Sequence, residues 1–407
     1  MPIAGHVTKR APDVAAKDPA LGNIRILTIA QALGGAGPPI VISLGGIVGK
    51  TLASDPAFAT IPVSLYNVGV AVGTLPAAYI MRRFGRRHGY VFGALIGIFG
   101  GLLAATAITI ETFALFALAT VLIGLFGAYI QSFRFAATDS VAAEHRATAI
   151  SRVMVGGLAA AIIGPQVVIW TSDAIPGVPY AASFIGLSIL AFLTLLLATR
   201  LKPVAAAAPT PASGGRPLSK IVRAPRFILA AATGVVSYAL MAFIMTATPL
   251  AMVACGHSVG QATLGIQWHV LAMFGPSFFT GRLIARFGKE RIAATGLALI
   301  AGCAVIALSG LAVANFWLAL VLLGVGWNFG FIGATAMIAD CHTPEERGKV
   351  QGLNDFLIFG STATASFLAG ALVHIDNGWS LMNWLVFPAT LAVFLPLLAV
   401  GRRAARA

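Results

Sequence analysis

Between Arg226 and Arg282 the chain contains no Asp, Glu, Lys or Arg. A membrane-spanning helix needs about 20 apolar residues, so this run is too long for one crossing. The stretch ACGHSVGQ at 254–261 contains turn-forming residues and divides the run in two. Because backbone groups in lipid must be hydrogen-bonded within the protein, we predict two consecutive transmembrane helices here.

The same criterion, applied to the whole chain, predicts twelve transmembrane helices. Of the 407 residues, 58% are hydrophobic and 10% are charged, whereas a soluble domain has about 25% charged residues. The fold class is therefore an all-α membrane protein. The predicted spans are 24–49, 57–81, 89–109, 112–133, 148–170, 180–200, 227–253, 261–284, 292–312, 315–338, 350–374 and 379–400.

The basic residues lie almost entirely on one side of this predicted topology. Of 27 Lys and Arg residues, only Lys50 falls in a connection on the opposite side from the chain ends. Basic connections mark the cytoplasmic side of a membrane protein. We therefore predict both termini in the cytoplasm and a location in the cell (inner) membrane. The asymmetry also explains the net charge of +14 without a nucleic-acid partner.

The chain divides into two halves that resemble each other. A segment rich in Ala, Pro, Ser and Gly follows Leu201 and indicates a flexible linker. The second and eighth spans are followed by RRFGRRHG (82–89) and ARFGKERI (285–292), with Gly85 and Gly288 in register. The fourth and tenth spans are followed by DSVAAEHR (139–146) and DCHTPEER (340–347). Two matches at nearly one offset indicate an internal repeat. The predicted units are a tail (1–23), a six-helix bundle (24–200), a linker (201–226), a second six-helix bundle (227–400) and a tail (401–407).

With six plus six spans, R-x-G-R-[RK] loops and acidic-then-Arg helix ends, the whole chain resembles the major facilitator superfamily of secondary transporters. The resemblance implies two six-helix bundles around a central cavity that opens to one side of the membrane at a time. This sequence departs from the family's loop motif at three positions. It has Ala78, Arg82 and Ala285 where the motif usually has Gly, Asp and Asp, respectively.

The loop residues on the predicted cytoplasmic face suggest a gate. Several exposed ion pairs acting together can bias an equilibrium between two conformations, and we hypothesise that they favour the outward-open state. The alternative is that these charges only set the topology. The gate candidates are Arg83, Gly85, Arg86, Arg87, Asp139, Glu144, Arg146, Arg286, Gly288, Lys289, Asp340, Glu345 and Arg347.

Three ionisable residues within the predicted spans are candidates for substrate contact or proton coupling, because charges in lipid are costly. Asp355 lies eight residues beyond Arg347, about 12 Å into the helix, and is predicted to carry a proton, or else to partner a polar group of a neighbouring helix. Arg134 either extends to the cytoplasmic surface or faces the cavity, where it attracts an anionic or carbonyl-rich substrate. His269 either contacts substrate or is a hydrogen-bonded packing residue.

Amide and aromatic side chains inside apolar helices predict a cavity for a small, partly flat organic molecule. Each of them can instead join two helices by a hydrogen bond. Glycines and prolines at 34–39, with Pro249 and Pro276, mark predicted bends. The cavity candidates are Gln31, Tyr66, Asn67, Gln131, Tyr238, Gln267, Trp268, Trp327, Asn328 and Asn354.

The predicted function is secondary active transport of a small organic solute by alternating access, with proton coupling. The run of the sequence resembles bacterial importers of metabolites or vitamins such as riboflavin; multidrug efflux is the alternative. An integral-membrane enzyme, channel or sensor is the rival of another class, but the spans hold no clustered catalytic residues or metal-ligand spacing. The P-loop-like GGIVGKT (45–51) has the wrong glycine spacing, so no cofactor is expected. We expect a monomer in the lipid bilayer.

Overall fold

The computed structural model describes residues 19–139, 141, 146–202, 215–343 and 345–404. All regular structure within these residues is helical, which confirms the predicted all-α class. The tails at 1–18 and 405–407, the linker segment 203–214 and the gate candidate Glu144 lie outside the described residues.

The first half of the chain forms its helices in the predicted order, with a short 3₁₀ helix at Pro56–Phe58. They are α1 (Pro19–Gly34), α2 (Gly37–Leu52), α3 (Ile61–Thr109), α4 (Phe113–Gln131), α5 (Phe133–Ala136), α6 (Arg146–Thr171) and α7 (Ala181–Ala198).

The second half repeats this arrangement after a short helix in the linker region. Its helices are α8 (Leu218–Ile221), α9 (Pro225–Ala254), α10 (Val259–Phe274), α11 (Ser277–Phe287), α12 (Lys289–Ser309), α13 (Val313–Ala339), α14 (Arg347–Val373) and α15 (Gly378–Ala404).

Ten helical segments of the described chain are individually long and apolar enough to cross a membrane. One of them, Pro56–Thr109, contains two spans, because α3 has 49 residues and would measure about 74 Å against about 30 Å of hydrocarbon. The eighth span is a further crossing, made of α10 and α11 with a break at Gly275 and Pro276. Counted this way, the helices make the twelve predicted spans.

One detail, the connection after the second span, differs from the sequence prediction. The segment 82–88 is not an open loop, because helix continues on both sides of Gly85, where φ is 85° and ψ is 158°. Gly288 adopts φ 88° and ψ 150° between α11 and α12, so the two repeats turn in the same way. The first span breaks between Gly34 and Gly37, as its glycines predict. Pro249 lies inside the continuous helix α9, and the bend at this position stays a prediction.

We call the side that carries Pro19 and Ala404 the terminal face and the opposite side the distal face. The two halves are joined towards the distal face. Thr60 Oγ1 donates to the Ser366 carbonyl at 3.0 Å, and Asn67 Nδ2 donates to Ser366 Oγ at 3.1 Å. Ile47 and Ala59 of the first half pack with Leu250 of the second. These contacts, the distal seam, close the molecule on that side.

On the terminal face the described ion pairs stay within one half. Arg86 binds Asp139 through both carboxylate oxygens, and Lys289 binds Asp340, which also accepts from Arg226 at 2.6 Å. Among the described residues, no hydrogen bond or ion pair joins the halves there. Gln131 of the first half and Asp355 of the second, near this face, are both exposed. The described residues are therefore closed towards the distal face and open towards the terminal face.

Candidate functional site

A cavity of about 240 Å³ lies between the two halves, near the middle of the spans. Helices of both halves line it: α1, α2, α3, α4, α5 and α6 from the first, and α9, α10, α13 and α14 from the second. It lies where the halves diverge below the distal seam. A solute in the cavity therefore contacts both halves at once.

The wall contributed by the second half is aromatic. Tyr238 makes edge-to-face contacts with Trp327 and Phe331, each at 5.3 Å between ring centroids, and with Phe359 at 5.9 Å. Trp327 stacks on Phe331 at 5.1 Å with an interplanar angle of 14°. Because Tyr238, Trp327 and Phe331 each contact at least two other rings, this wall offers a rigid surface for a flat molecule.

The wall contributed by the first half carries most of the polar side chains of the lining, set among glycine, proline and aliphatic residues. It carries the amides of Gln31, Asn67 and Gln131, the phenol of Tyr66 and the guanidinium of Arg134. Among the described residues, Arg134 is the only charged one on the lining, and its Cζ lies 4.8 Å from the centroid of the Phe135 ring. Its Nε is buried and has no hydrogen-bond partner among the described residues. This wall therefore presents hydrogen-bonding groups opposite the rings.

Six of the ten predicted cavity residues, and Arg134, lie on the lining. The six are Gln31, Tyr66, Asn67, Gln131, Tyr238 and Trp327. Their roles in binding remain predictions. The helical periodicity of the spans does not reveal which face meets the cavity, so the aromatic partners Phe274, Phe331 and Phe359 and the methionines at 154, 241, 245 and 273 were missed.

The other predicted cavity residues do not lie on the lining. Gln267 accepts a hydrogen bond from Gln166 of the other half at 3.0 Å, and Trp268 is 45% exposed on the outside of the bundle. Asn328 is buried: its amide donates to the Met273 carbonyl and accepts from Thr280, so it stabilises the break between α10 and α11. Asn354 is buried beside Asp355, 3.5 Å from its carboxylate.

His269 and Asp355 have different surroundings. His269 is fully buried, and its Nδ1 donates to the Leu320 carbonyl at 2.8 Å, so it packs two helices together and does not contact the cavity. Asp355 is exposed and lies one helical turn from the lining residue Phe359, towards the terminal face. It interacts electrostatically with Arg134 and Tyr238 but forms no direct ion pair with Arg134. The carboxylate thus lies at the terminal opening of the cavity.

Among the gate candidates whose side chains are described, some form ion pairs with other described residues and others form none. Arg86, Asp139, Lys289 and Asp340 form the ion pairs described above. Partial burial opposes ionisation of Asp340, but Lys289 and Arg226 outweigh it and keep its pKa below the ordinary value. Arg83 and Arg286 lie over the rings of Phe84 and Phe287, and Arg347 donates to Gln351. Arg87 and Glu345 are exposed, and the side chain of Arg146 is outside the described residues.

The sequence pattern singled out Glu345, but its neighbour Glu346 is the buried carboxylate of this loop. The Glu346 side chain is 1% exposed and accepts from Arg216 Nη2 at 2.8 Å and Nε at 2.9 Å. These hydrogen bonds hold the pKa of Glu346 at about 2. The D-x-x-x-x-E-x-R pattern could not find Glu346, because its partner Arg216 comes from the distant linker.

The sequence matches the family model described as Major Facilitator Superfamily over residues 26–333 and 236–407. It is 59% identical over 378 residues to the riboflavin transporter RfnT of Brucella anthropi, covering 92% of this chain and 95% of that protein. It is 32% identical to the uncharacterized MFS-type transporter YddS of Bacillus subtilis, covering 86% of this chain and 84% of the relative.

Solved structures share the same overall fold. A mutant of the nucleoside transporter NupG superposes with a TM-score of 0.72 at 14% identity, covering 94% of this chain and 99% of the other. At that identity the likeness concerns the fold alone. It supports the arrangement of two six-helix halves around a central cavity.

Proposed function

Because the chain belongs to the Major Facilitator Superfamily and is a membrane transporter, we propose that its substrate is riboflavin, carried across the cell membrane by alternating access. The relative from Brucella anthropi, 59% identical over most of the chain, is a riboflavin transporter. The single structural observation that carries the proposal is the two-sided cavity, with aromatic rings on one wall and amides, a phenol and a guanidinium on the other.

Riboflavin matches this lining in chemical terms. Its ring system is flat, conjugated and neutral, which suits stacking against Trp327, Phe331 and Phe359. Its two carbonyl groups accept hydrogen bonds, and the hydroxyl groups of its chain both donate and accept them. The amides of Gln31, Asn67 and Gln131 can satisfy these groups, since an amide provides both donors and acceptors.

Transport requires the molecule to open on the side that is now closed and to close on the side that is now open. In the conformation described, the distal seam holds Thr60 and Asn67 against Ser366. Opening that seam and closing the terminal side moves the cavity from one face to the other. The cavity is smaller than the roughly 300–1,000 Å³ of typical ligand pockets, so substrate entry is expected to widen it.

We further propose that both termini are cytoplasmic, that the protein is a monomer of the inner membrane, and that Asp355 couples transport to protons. Asp355 lies at the terminal opening beside Arg134, where a proton changes the charge balance of the entrance. Asp355→Asn should abolish gradient-driven accumulation while riboflavin binding is retained. Accumulation equal to wild type would exclude this role.

Uptake of labelled riboflavin by riboflavin-auxotrophic cells tests the substrate. We expect saturable accumulation with the protein and none with an empty vector. Trp327→Ala removes part of the aromatic wall and should weaken uptake at least about tenfold, because truncating an aromatic anchor of a binding site typically costs about 2 kcal/mol or more of binding free energy. Trp268→Ala on the outer surface is the matched control and should transport normally.

The result that contradicts the proposal is absence of riboflavin accumulation when the protein is present in the membrane. Faster loss of preloaded dyes from cells or inverted vesicles would instead favour multidrug efflux. Purified protein offers a second measurement, since stacking on Trp327 should quench riboflavin fluorescence and a bound ligand should raise Tm.

A further inference from the structure

We propose that Asn67 couples ligand binding in the cavity to opening of the distal seam, and so acts as a positioning residue for the transport cycle. A ligand that takes the place of Ser366 on the Asn67 amide releases a contact between the halves. The inference rests on the proposed function, because riboflavin is the ligand to which it is applied.

Three hydrogen bonds join the two halves within the described part of the chain. Thr60 and Asn67 both donate to Ser366, to its carbonyl at 3.0 Å and to its Oγ at 3.1 Å respectively. Gln166 Nε2 donates to Gln267 Oε1 at 3.0 Å. Of these five residues, only Asn67 lies on the cavity lining. A ligand in the cavity therefore reaches the hydrogen bonds between the halves through this residue.

Ser366 is the point at which the second half is held. It is fully buried and accepts both seam hydrogen bonds that come from the first half. Its Oγ also accepts from Thr246 of its own half at 3.3 Å. Thr246 stays beside Ser366 when the halves separate, whereas Asn67 moves away with the first half. Opening of the seam therefore breaks the Asn67 hydrogen bond.

The Asn67 side chain is only partly buried and has more hydrogen-bonding capacity than the seam uses. A side-chain amide carries two N–H donors and one carbonyl oxygen, and the seam occupies one of the donors. When the seam opens, the ligand gains the second donor. Because the ligand then makes an additional hydrogen bond, it binds the seam-open conformation more tightly and shifts the equilibrium towards it.

Riboflavin affinity and the distance between the halves, measured on the same purified protein, test this coupling. One spin label is attached to the native Cys255, which is exposed at the distal end of the second half, and another to Ala174→Cys, an exposed position at the distal end of the first half. Quenching of riboflavin fluorescence gives the Kd. In the otherwise wild-type protein, we expect saturating riboflavin to increase the long-distance population about fivefold.

Substitutions at the two ends of the Asn67–Ser366 hydrogen bond should change riboflavin affinity in opposite directions. Asn67→Ala removes a donor to the ligand as well as the seam contact, so the Kd should rise about fivefold. Ser366→Ala removes only the seam contact and leaves both Asn67 donors to the ligand, so the Kd should fall about two- to fivefold. If Asn67 acted only on folding, both substitutions would shift the Kd in the same direction.

The response of the distance to riboflavin provides the controls. Asn67→Ala and Ser366→Ala should both lose most of that response, because opening no longer gives the ligand a further donor. Gln166→Ala removes an inter-half hydrogen bond that is not on the lining, and it should keep the response. Thr364→Ala removes an exposed hydroxyl from the helix that carries Ser366 and should leave the Kd and the distances unchanged.

The outcomes distinguish this inference from the proposed function. If riboflavin does not bind the wild type, the proposed substrate is wrong and the coupling falls with it. If riboflavin binds but Ser366→Ala raises the Kd as Asn67→Ala does, or the wild-type distances do not respond, the substrate stands and the coupling is wrong. Should Asn67→Ala fail to fold, Ser366→Ala decides alone: a lowered Kd supports the inference and a raised Kd overturns it.

Discussion

Gly85 and Gly288 occupy equivalent positions in the two halves and adopt nearly the same backbone conformation, φ 85° with ψ 158° and φ 88° with ψ 150°. This region of the backbone map is open almost only to glycine. Both residues form the turn between two consecutive spans on the terminal face. The repeat detected in the sequence is thus also a repeat of backbone geometry.

Gly85→Ala and Gly288→Ala should each lower the free energy of unfolding by about 1–3 kcal/mol, because a Cβ strains the backbone at this φ and ψ. No other atom lies within 4 Å of a Cβ built on Gly85, so the effect there is conformational and not a clash. Thermal unfolding of the purified protein measures it. Gly281→Ala, at an uncrowded helical position, is the control and should be neutral or slightly stabilising. Equal Tm values for all three variants would contradict the prediction.

Gly370 allows the distal seam to close. A Cβ at this position would overlap the side chain of Thr60 in the opposite half. Gly370→Val should therefore disfavour the terminal-open conformation and strongly reduce transport, while each half remains folded. Gly360→Val on the same helix is the matched control, since nothing lies within 4 Å of a Cβ there. Uptake rates and Tm should be measured together; normal uptake by Gly370→Val would show that the seam does not close in the transport cycle.

The Arg216–Glu346 contact ties the end of the linker to the second half. Besides the side-chain hydrogen bonds, the backbone N–H of Arg216 donates to Glu346 Oε1 at 2.5 Å. Glu346→Gln should speed amide hydrogen exchange over 215–220, whereas Glu345→Gln, at the exposed neighbour, should not. Because the pKa of Glu346 is lowered from 4.5 to about 2, the ionised contact is complete above pH 4.5. The protection of these amides, measured as the exchange rate relative to the intrinsic rate at the same pH, should fall in the wild type as the pH falls from 4.5 towards 2. If Glu346→Gln and Glu345→Gln exchange these amides at the same rate, Glu346 does not hold the end of the linker against the second half.

His374 lies at the end of α14, next to the distal seam. Burial lowers its pKa and Lys50 lowers it further, while Asp55 acts in the opposite direction; Tyr180 and Asp376 are the other titratable groups nearby. Because this burial belongs to the closed seam, we expect the neutral imidazole to favour that conformation. That contribution is complete above the ordinary histidine pKa of about 6.5 and is lost as the pH falls through the lowered value.

Acidification on the distal side should accordingly open the seam. A cysteine introduced as Asn67→Cys should react faster with an impermeant maleimide at pH 5 than at pH 7, relative to the exposed Cys255 as internal standard. His374→Gln should remove this pH dependence. If the reactivity ratio responds to pH equally in the presence and absence of His374, another group is responsible.

Much of the architecture could be predicted from the sequence because lipid imposes simple rules on it. The apolar runs, the one-sided basic connections and the repeated loop motifs led to the all-α class and to twelve spans within a few residues of the observed helices. Gly85 and Gly288 were recognised as equivalent from register alone. The bends at Gly35 and at Pro276 also follow from local residue types, since glycine and proline weaken a helix wherever they occur.

The composition of the site was decided by the tertiary structure. Trp268 and Trp327 are both tryptophans in apolar helices, yet only Trp327 lies on the cavity, because a nearly uniform apolar helix does not reveal which side faces lipid, protein or solute. His269 hydrogen-bonds to a backbone carbonyl of another span. Asn328 hydrogen-bonds to the backbone beside the break in the eighth span, which is also distant in the chain. Glu346 was missed for the same reason, since its partner Arg216 is distant in the chain. Hydropathy and charge along the chain determine how it crosses the membrane, whereas the rotation of each helix against its neighbours determines which side chains meet.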